Sequence, residues 1–324
     1  IIFIIIFVNH TIRFIKVYMF SQITIALKNA IKWLYSKRMY FNPLDPQFDE
    51  KQAHKMFSEL QFILSELSKT IMLWDIKTQK YIRELQLFSR NIICNPEYYE
   101  LLQKHPSRFR MYGMASLYFL SYWKSEDTDF IQNVIRKTYS TAYSISPETP
   151  PFRMMEIIYC ICGNNYYLND KEYEYSMLDR YAEFSILNTS YDVSNYTIFD
   201  EYAITHSIFY LTNMGERSID FDKFHNLEDC LYALAYKNLL VDDLDLLGEY
   251  VIDICCCKLN NSLLLQGLLN YILNNQRQDG IFPAPLRGRT SDEVIIDNSQ
   301  YVIRHYHTTL VCILALSIYV RQFQ

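Results

Sequence analysis

Glycine and proline are scarce, 7 and 9 residues in 324, which excludes collagen-like and low-complexity chains and points to long regular elements with few interruptions. Neither charge dominates. Lys and Arg number 31 against 36 Asp and Glu, a formal net charge of -5, so the basic surface that phosphate backbones require is missing and duplex nucleic acid is excluded as a partner. No unbroken apolar run approaches the roughly 20 residues of a bilayer-spanning helix, and no membrane span is expected. G-x-S-x-G, H-E-x-x-H, G-x-G-x-x-G and Gly-rich phosphate loops do not occur, which leaves nucleotide-dependent chemistry without support. What is present is apolar bulk. Half the residues are hydrophobic, with 28 Tyr and 20 Phe, sufficient for one large core.

The longest apolar run at the start, Ile1 to Val8, has eight residues and is followed, not preceded, by Arg13 and Lys16, the reverse of a secretory signal. Translation from Met19 is the expectation, with residues 1–18 an over-extended or disordered segment and 19–324 a single domain. Eight cysteines (Cys94, Cys160, Cys162, Cys230, Cys255, Cys256, Cys257 and Cys312) sit mostly in apolar helical stretches without disulfide-framework or C-x-x-C spacing. They read as small buried hydrophobes in a reducing cytoplasm.

Phe57, Leu60, Leu64, Leu67, Ile71 and Trp74 recur at steps of three and four, which predicts one long helix with a single apolar stripe. The same periodicity predicts helices near 20–40, 50–76, 79–94, 108–124, 128–143, 152–165, 171–187, 197–213, 224–240, 243–258, 262–275 and 305–322. Breaks fall where Asn-Pro, His-Pro, Asn-Asn and Met-Gly pairs interrupt them. Apart from a short β-branched piece at 294–296, nothing alternates with period two. The fold class is all-α, and helical hairpins in this number suit either a closed α/α toroid or an open α-solenoid.

Gln276, Asp279, Gly280 and Phe282 follow an apolar helix in the order Q-x-x-D-G-x-F. This segment resembles the Q-x-x-D-G-x-[FW] repeat of terpene cyclases and protein prenyltransferases, which are α/α toroids. The resemblance implies that the Gln caps a helix end and the Gly supplies a positive-φ turn. Tyr306-His307-Thr308, opening a late apolar helix, is similar to a His-Thr pair of the same proteins. Lys32-Trp33-Leu34 with Phe41-Asn42-Pro43, the helix from Thr205 to Thr212 and the Gln-Asp-Gly to Tyr-His-Thr tail together look like an uncharacterised bacterial domain family.

Asp242, Asp245, Glu249 and Asp253 lie at i, i+3, i+7 and i+11, four carboxylates on one helical face. Such a stripe is either a solvated face or the acidic wall of a cavity, where crowded carboxylates raise one another's pKa and suit general-acid work or cation binding. Asp253-Ile254-Cys255 with His307 resembles, in identity and order, the zinc ligands of protein prenyltransferases. The resemblance implies zinc or another divalent cation, although Asp253 and Cys255 are about 200° apart on a continuous helix. His206 shares a stripe with Tyr202 and Tyr210, with Asp200 and Glu201 one to two turns earlier. It reads as a core histidine or as part of an aromatic pocket. His305 and His307 diverge. The expected catalytic set is His206, Glu249, His307 and Asp200, in an enzyme that modifies or cyclises a small molecule or peptide in a central cavity. The alternative is a noncatalytic ligand-binding or interaction scaffold with the tyrosines and phenylalanines as its recognition surface.

Overall fold

The computed structural model describes residues 2–104, 149–163, 176–189, 192–224, 226–259, 262–287 and 297–323. The helices expected at 108–124 and 128–143 and the β-branched piece at 294–296 lie outside them. Among the described residues the chain is all-helical and contains no strand. Eleven helices are described: α1 (Ile2–Lys37), α2 (Glu50–Thr70), α3 (Ile76–Ile93), α4 (Pro96–Lys104), α5 (Pro151–Gly163), α6 (Ser176–Ala182), α7 (Ile198–Leu211), α8 (Leu227–Leu240), α9 (Leu244–Cys256), α10 (Ser262–Asn274) and α11 (Asn298–Phe323).

Capping chemistry accounts for the boundaries that periodicity misplaced. The stripe from Phe57 to Trp74 is two pieces, because α2 ends at Thr70, a 3-10 turn follows, and Trp74 is extended with ψ 156. Asp75 then caps α3, its carboxylate accepting from the backbone N–H groups of Lys77 and Thr78. A cap of this kind satisfies donors that no preceding turn can reach. The break at Asn95-Pro96 follows the end of α3, and Pro96 also opens α4. Asn95 accepts from Glu97 N–H at 2.9 Å, and a proline at the first helical position gives up nothing. α11 begins seven residues earlier than its apolar periodicity, at Asn298, because Asp297 accepts from Gln300 N–H at 2.8 Å.

Helices α9 and α11 form the centre of the core. α9 packs on α11, α8, α7 and α10, while α11 packs on α9, α2 and α1. Gly248 permits their close approach, since a Cβ there would stand 2.8 Å from a Val311 methyl. α11 is long and apolar enough to cross a bilayer, but 78% of its apolar stretch is buried inside the protein, the condition of a core helix. α5 packs on α6 and α7, and α7 on α9. The run α2, α11, α9, α7, α5 is therefore continuous, and Phe62 of α2 meets Tyr159 of α5 with ring centroids 6.3 Å apart. α1, α3, α8 and α10 pack behind this run.

The Q-x-x-D-G segment closes the end of α10 onto α1. Gln276 donates from Nε2 to the Ala26 carbonyl at 2.8 Å and to the Gly280 carbonyl at 3.0 Å, so the glutamine ties its own turn to another helix 250 residues away. Replacing Gln276 by Ala strands both carbonyls and is expected to cost about 1 to 2 kcal/mol, read as a lower denaturant midpoint at unchanged m-value.

Candidate functional site

Helices α2, α5, α7, α9 and α11, with the strap Ala284–Arg287, line a cavity of about 1480 Å³. The lining changes with depth in the same order on each long helix. On α11 it runs Arg304, His307, Leu310, Leu314, and on α2 it runs Lys55, Glu59, Phe62. On these two helices charged residues sit toward the N-terminal end, ionisable ones at the waist and apolar ones on the floor, with Ile303 beside Arg304 an apolar exception.

α7 brings His206 to the waist. Its Nδ1–H donates to the Tyr202 carbonyl at 2.8 Å, which fixes the tautomer and leaves Nε2 as the basic nitrogen. Among the described residues no hydrogen bond reaches that Nε2. Phe152, Tyr202, Phe209 and Tyr210 surround the imidazole with ring centroids 5.5 to 6.3 Å away. Burial, reinforced by the charge of Arg153, pushes its pKa down to about 3, so His206 is neutral at physiological pH.

Glu249 of α9 stands beside it. The carboxyl Oε2 lies 3.7 Å from His206 Nδ1 and accepts a 2.5 Å hydrogen bond from the Thr205 hydroxyl. Burial, with the nearby charge of Asp245, pushes Glu249 up to about 8. It therefore holds a proton at neutral pH, a carboxylic acid facing a neutral imidazole.

The remaining waist groups are charged and paired. Asp245, one turn before Glu249, accepts from the Tyr202 hydroxyl at 2.7 Å, from Arg287 at 3.1 Å and from Thr308 at 3.3 Å. Arg287 also binds Asp243 through Nε at 2.7 Å and through its terminal nitrogen at 3.1 Å. This two-pronged grip fixes the strap to the start of α9. His307 donates from Nδ1 to Glu59 at 2.9 Å, and its Nε2 is 3.6 Å from Asp245. Burial works against its charge, yet Asp245 and Glu59 outweigh burial and hold the imidazolium up to about 10. Glu59 in turn is held down at about 2, burial being overcome by His307 and then Lys55.

The expected site residues divide. His206, Glu249 and His307 share the cavity. Asp200 does not: it forms a capping box with Thr197, its Oδ2 accepting from the Thr197 N–H at 2.8 Å on the exposed start of α7. The acidic stripe also divides, since Asp242 precedes α9 with φ 54 and bonds the Tyr271 hydroxyl at the surface, while Asp245 and Glu249 form the cavity wall. Asp253 and Cys255 are fully buried and away from the lining. Burial pushes Asp253 well above the usual carboxylate range and Cys255 well above the usual thiol range, and on the continuous helix α9 the two lie about 200° apart. Among the described residues no group of three His, Cys, Asp or Glu side chains is placed to hold a metal ion. That removes the arrangement implied for Asp253, Cys255 and His307. Glu201 is structural, bound by Lys237 at 2.5 Å, Asn238 at 2.6 Å and Tyr250 at 3.2 Å. His305 accepts from the Ala284 N–H at 3.0 Å and pins the strap.

Glu59 and Arg287 were invisible in the sequence as site residues. Glu59 sits on an amphipathic helix like any solvated glutamate, and Arg287 lies beyond the last periodic residue of α10. Their partners are 248 and 42 to 44 positions away, separations that no local pattern reports.

The opposite shifts of the two histidines give a direct test. His307, raised from 6.5 to about 10, contributes stability that is fully present below pH 6.5 and lost as pH rises through 10. His206, lowered to about 3, contributes stability present above pH 6.5 and lost as pH falls through 3. Imidazole NMR is expected to show His307 charged at pH 8 and His206 neutral at pH 5 with its proton on Nδ1. His307→Gln should remove the His307 share of the loss above pH 6.5, most visibly between pH 8 and 10, where Glu249 no longer contributes.

The model of a domain-of-unknown-function family, DUF6895, matches residues 27–317. The chain belongs to the DUF6895 family. The matched stretch includes Glu59, His206, Asp245, Glu249 and His307, so the whole waist of the cavity belongs to the DUF6895 domain. No curated protein and no solved structure matches the chain.

Proposed function

We propose that this DUF6895 protein is an enzyme that performs general acid–base chemistry on a small molecule or peptide bound in the central cavity. The observation that carries this reading is the neutral His206, its Nε2 open, beside a Glu249 that keeps its proton to about pH 8. Glu249 is the acid. With Oε2 engaged by Thr205, Oε1 delivers the proton to a departing group on the substrate. His206 Nε2 accepts the proton given up by the attacking hydroxyl, amine or water. Each transfer assists the other, because ionised Glu249 lies 3.7 Å from His206 and stabilises the imidazolium that forms. Asp245, His307, Glu59 and Arg287 do not turn over protons here. Their ion pairs hold α2, α9, α11 and the strap in register around the reacting pair.

The same reading takes the five lining helices as the inner ring of an α/α toroid, closed between α2 and α5. The Phe62–Tyr159 contact and the Gln276–Gly280 turn support this over an open solenoid. Eight free cysteines, seven of them buried, support a reducing cytoplasm as the working compartment.

The test uses p-nitrophenyl esters, glycosides and phosphates as reporters between pH 5 and 9. Turnover of at least one is expected, falling about 100-fold or more in His206→Gln and in Glu249→Gln, with activity declining above about pH 8 as Glu249 ionises. Turnover indifferent to both substitutions overturns the acid–base roles. Absence of turnover with every reporter leaves the noncatalytic binding function as the better account.

A further inference from the structure

The charges lining the cavity do not cancel. Lys55 pairs with Glu59 at 3.6 Å, Arg153 with Glu156 at 2.7 Å, Arg287 with Asp243 at 2.7 Å and His307 with Asp245 at 3.6 Å. Arg304 lines the same cavity, and among the described residues it makes no ion pair. With Asp243 counted behind Arg287 just outside the lining, and with Glu249 protonated, the surplus is one positive charge, in a protein whose formal net charge is -5. A surplus cation facing a low-dielectric chamber selects anions, since the field concentrates where protein walls exclude water.

The position of Arg304 sets a length. Arg304, His307, Leu310 and Leu314 fall at i, i+3, i+6 and i+10 along α11 and all line the cavity. At 1.5 Å per residue the Arg304 backbone lies about 4.5 Å above the level of His307 and that of Leu314 about 10 Å below it. Phe62, Cys160, Phe209 and Tyr210 complete the floor. A molecule seated against this stripe meets a cation, then the reacting groups, then apolar walls.

We propose that the substrate is an anionic amphiphile, a small carboxylate or phosphate monoester with an apolar body, bound with its anion at Arg304 and its apolar end on the floor formed by Phe62, Leu310 and Leu314. This inference rests on the acid–base reading for where the reacting bond lies, but not for binding itself. The two are separable because neither Arg304 nor the floor takes part in proton transfer. The remainder of the substrate, between anion and apolar end, spans the waist where Glu249 and His206 stand.

The test is calorimetric binding of straight-chain carboxylates (acetate, hexanoate, octanoate, decanoate) and of decan-1-ol to the full chain. Affinity for the carboxylates is expected to rise by about threefold or more per buried methylene, and decanoate to bind at least about tenfold tighter than decan-1-ol. Arg304→Gln should remove that preference while leaving decan-1-ol binding and the melting temperature unchanged. Arg304→Glu should invert it. Equal binding of acid and alcohol, binding independent of Arg304, or no binding by any of these probes overturns the proposal. Arg304-dependent binding in a protein whose reporter turnover ignores His206 and Glu249 retains it and overturns the acid–base reading alone.

Discussion

Gly280→Val is expected to lower stability by about 3 kcal/mol or more, a fall in Tm of about 4 °C or more for a chain of this size. Two independent penalties act at this position. Its φ is +101, a conformation that a β-branched residue adopts only under strain. A Cβ there would also stand 2.4 Å from the Asn29 carbonyl oxygen and 2.7 Å from its carbon. Both obstacles are backbone atoms of α1, so no rotamer change relieves them. Gly280→Ala separates the two effects from β-branching, since it meets the same backbone and the same φ, and it should cost nearly as much. Thermal unfolding of the three proteins side by side checks this, and an unchanged Tm for either variant would show that α1 and the turn are not docked as described.

That turn was legible in the sequence because its chemistry is local. Gln276, Asp279 and Gly280 are within five residues, and the positive φ of Gly280 follows from residue type, whereas the tie from Gln276 to Ala26 joins residues 250 apart and was not legible. The all-α class was legible for the same reason, since apolar periodicity reports each helix independently. The boundaries that failed did so at capping residues. Asp75 starts α3 three residues before its expected position and Asp297 lengthens another helix, because a single side-chain oxygen outweighs the propensity of several neighbours at a helix end.

The site was half legible. Histidine and glutamate in the C-terminal half drew attention by scarcity and register, and His206, Glu249 and His307 do converge. Their protonation states were not legible, because these depend on partners from other helices. Two histidines of identical intrinsic pKa end on opposite sides of neutrality, one facing aromatic rings and a backbone carbonyl, the other between two carboxylates. Asp200 and Asp253 show the converse error. Each lies close in sequence to the groups of the waist, but one faces solvent as a cap and the other is sealed in the packing of α9.

Asp245 and Glu249, one turn apart on α9, are expected to respond to substitution with opposite signs. Asp245→Ala leaves the Tyr202 and Thr308 hydroxyls without their acceptor and takes one of two carboxylates from Arg287 and from His307. Removing one member of such a buried set typically costs about 3 to 5 kcal/mol, because the surviving charges remain desolvated. Glu249→Gln instead replaces a protonated carboxyl by a neutral group of the same shape, whose oxygen still accepts from Thr205. Glu249, with its pKa raised from 4.5 to about 8, contributes stability that is complete below pH 4.5 and lost as pH rises to 8. The glutamine variant has no such loss, so its Tm should match the parent at pH 4.5, exceed it increasingly up to pH 8 and keep a constant margin above. The coupling between the two carboxyls supplies a further check. Asp245→Asn removes the charge that helps raise Glu249, and in that background the margin of Glu249→Gln over its parent should stop growing at a pH below 8. His307→Leu falls on the Asp245 side of this division, since it strands Glu59 and Asp245 together. A glutamine variant at Glu249 that destabilises at every pH would show that this carboxyl is an ionised structural partner, and would remove the proton on which the proposed chemistry depends.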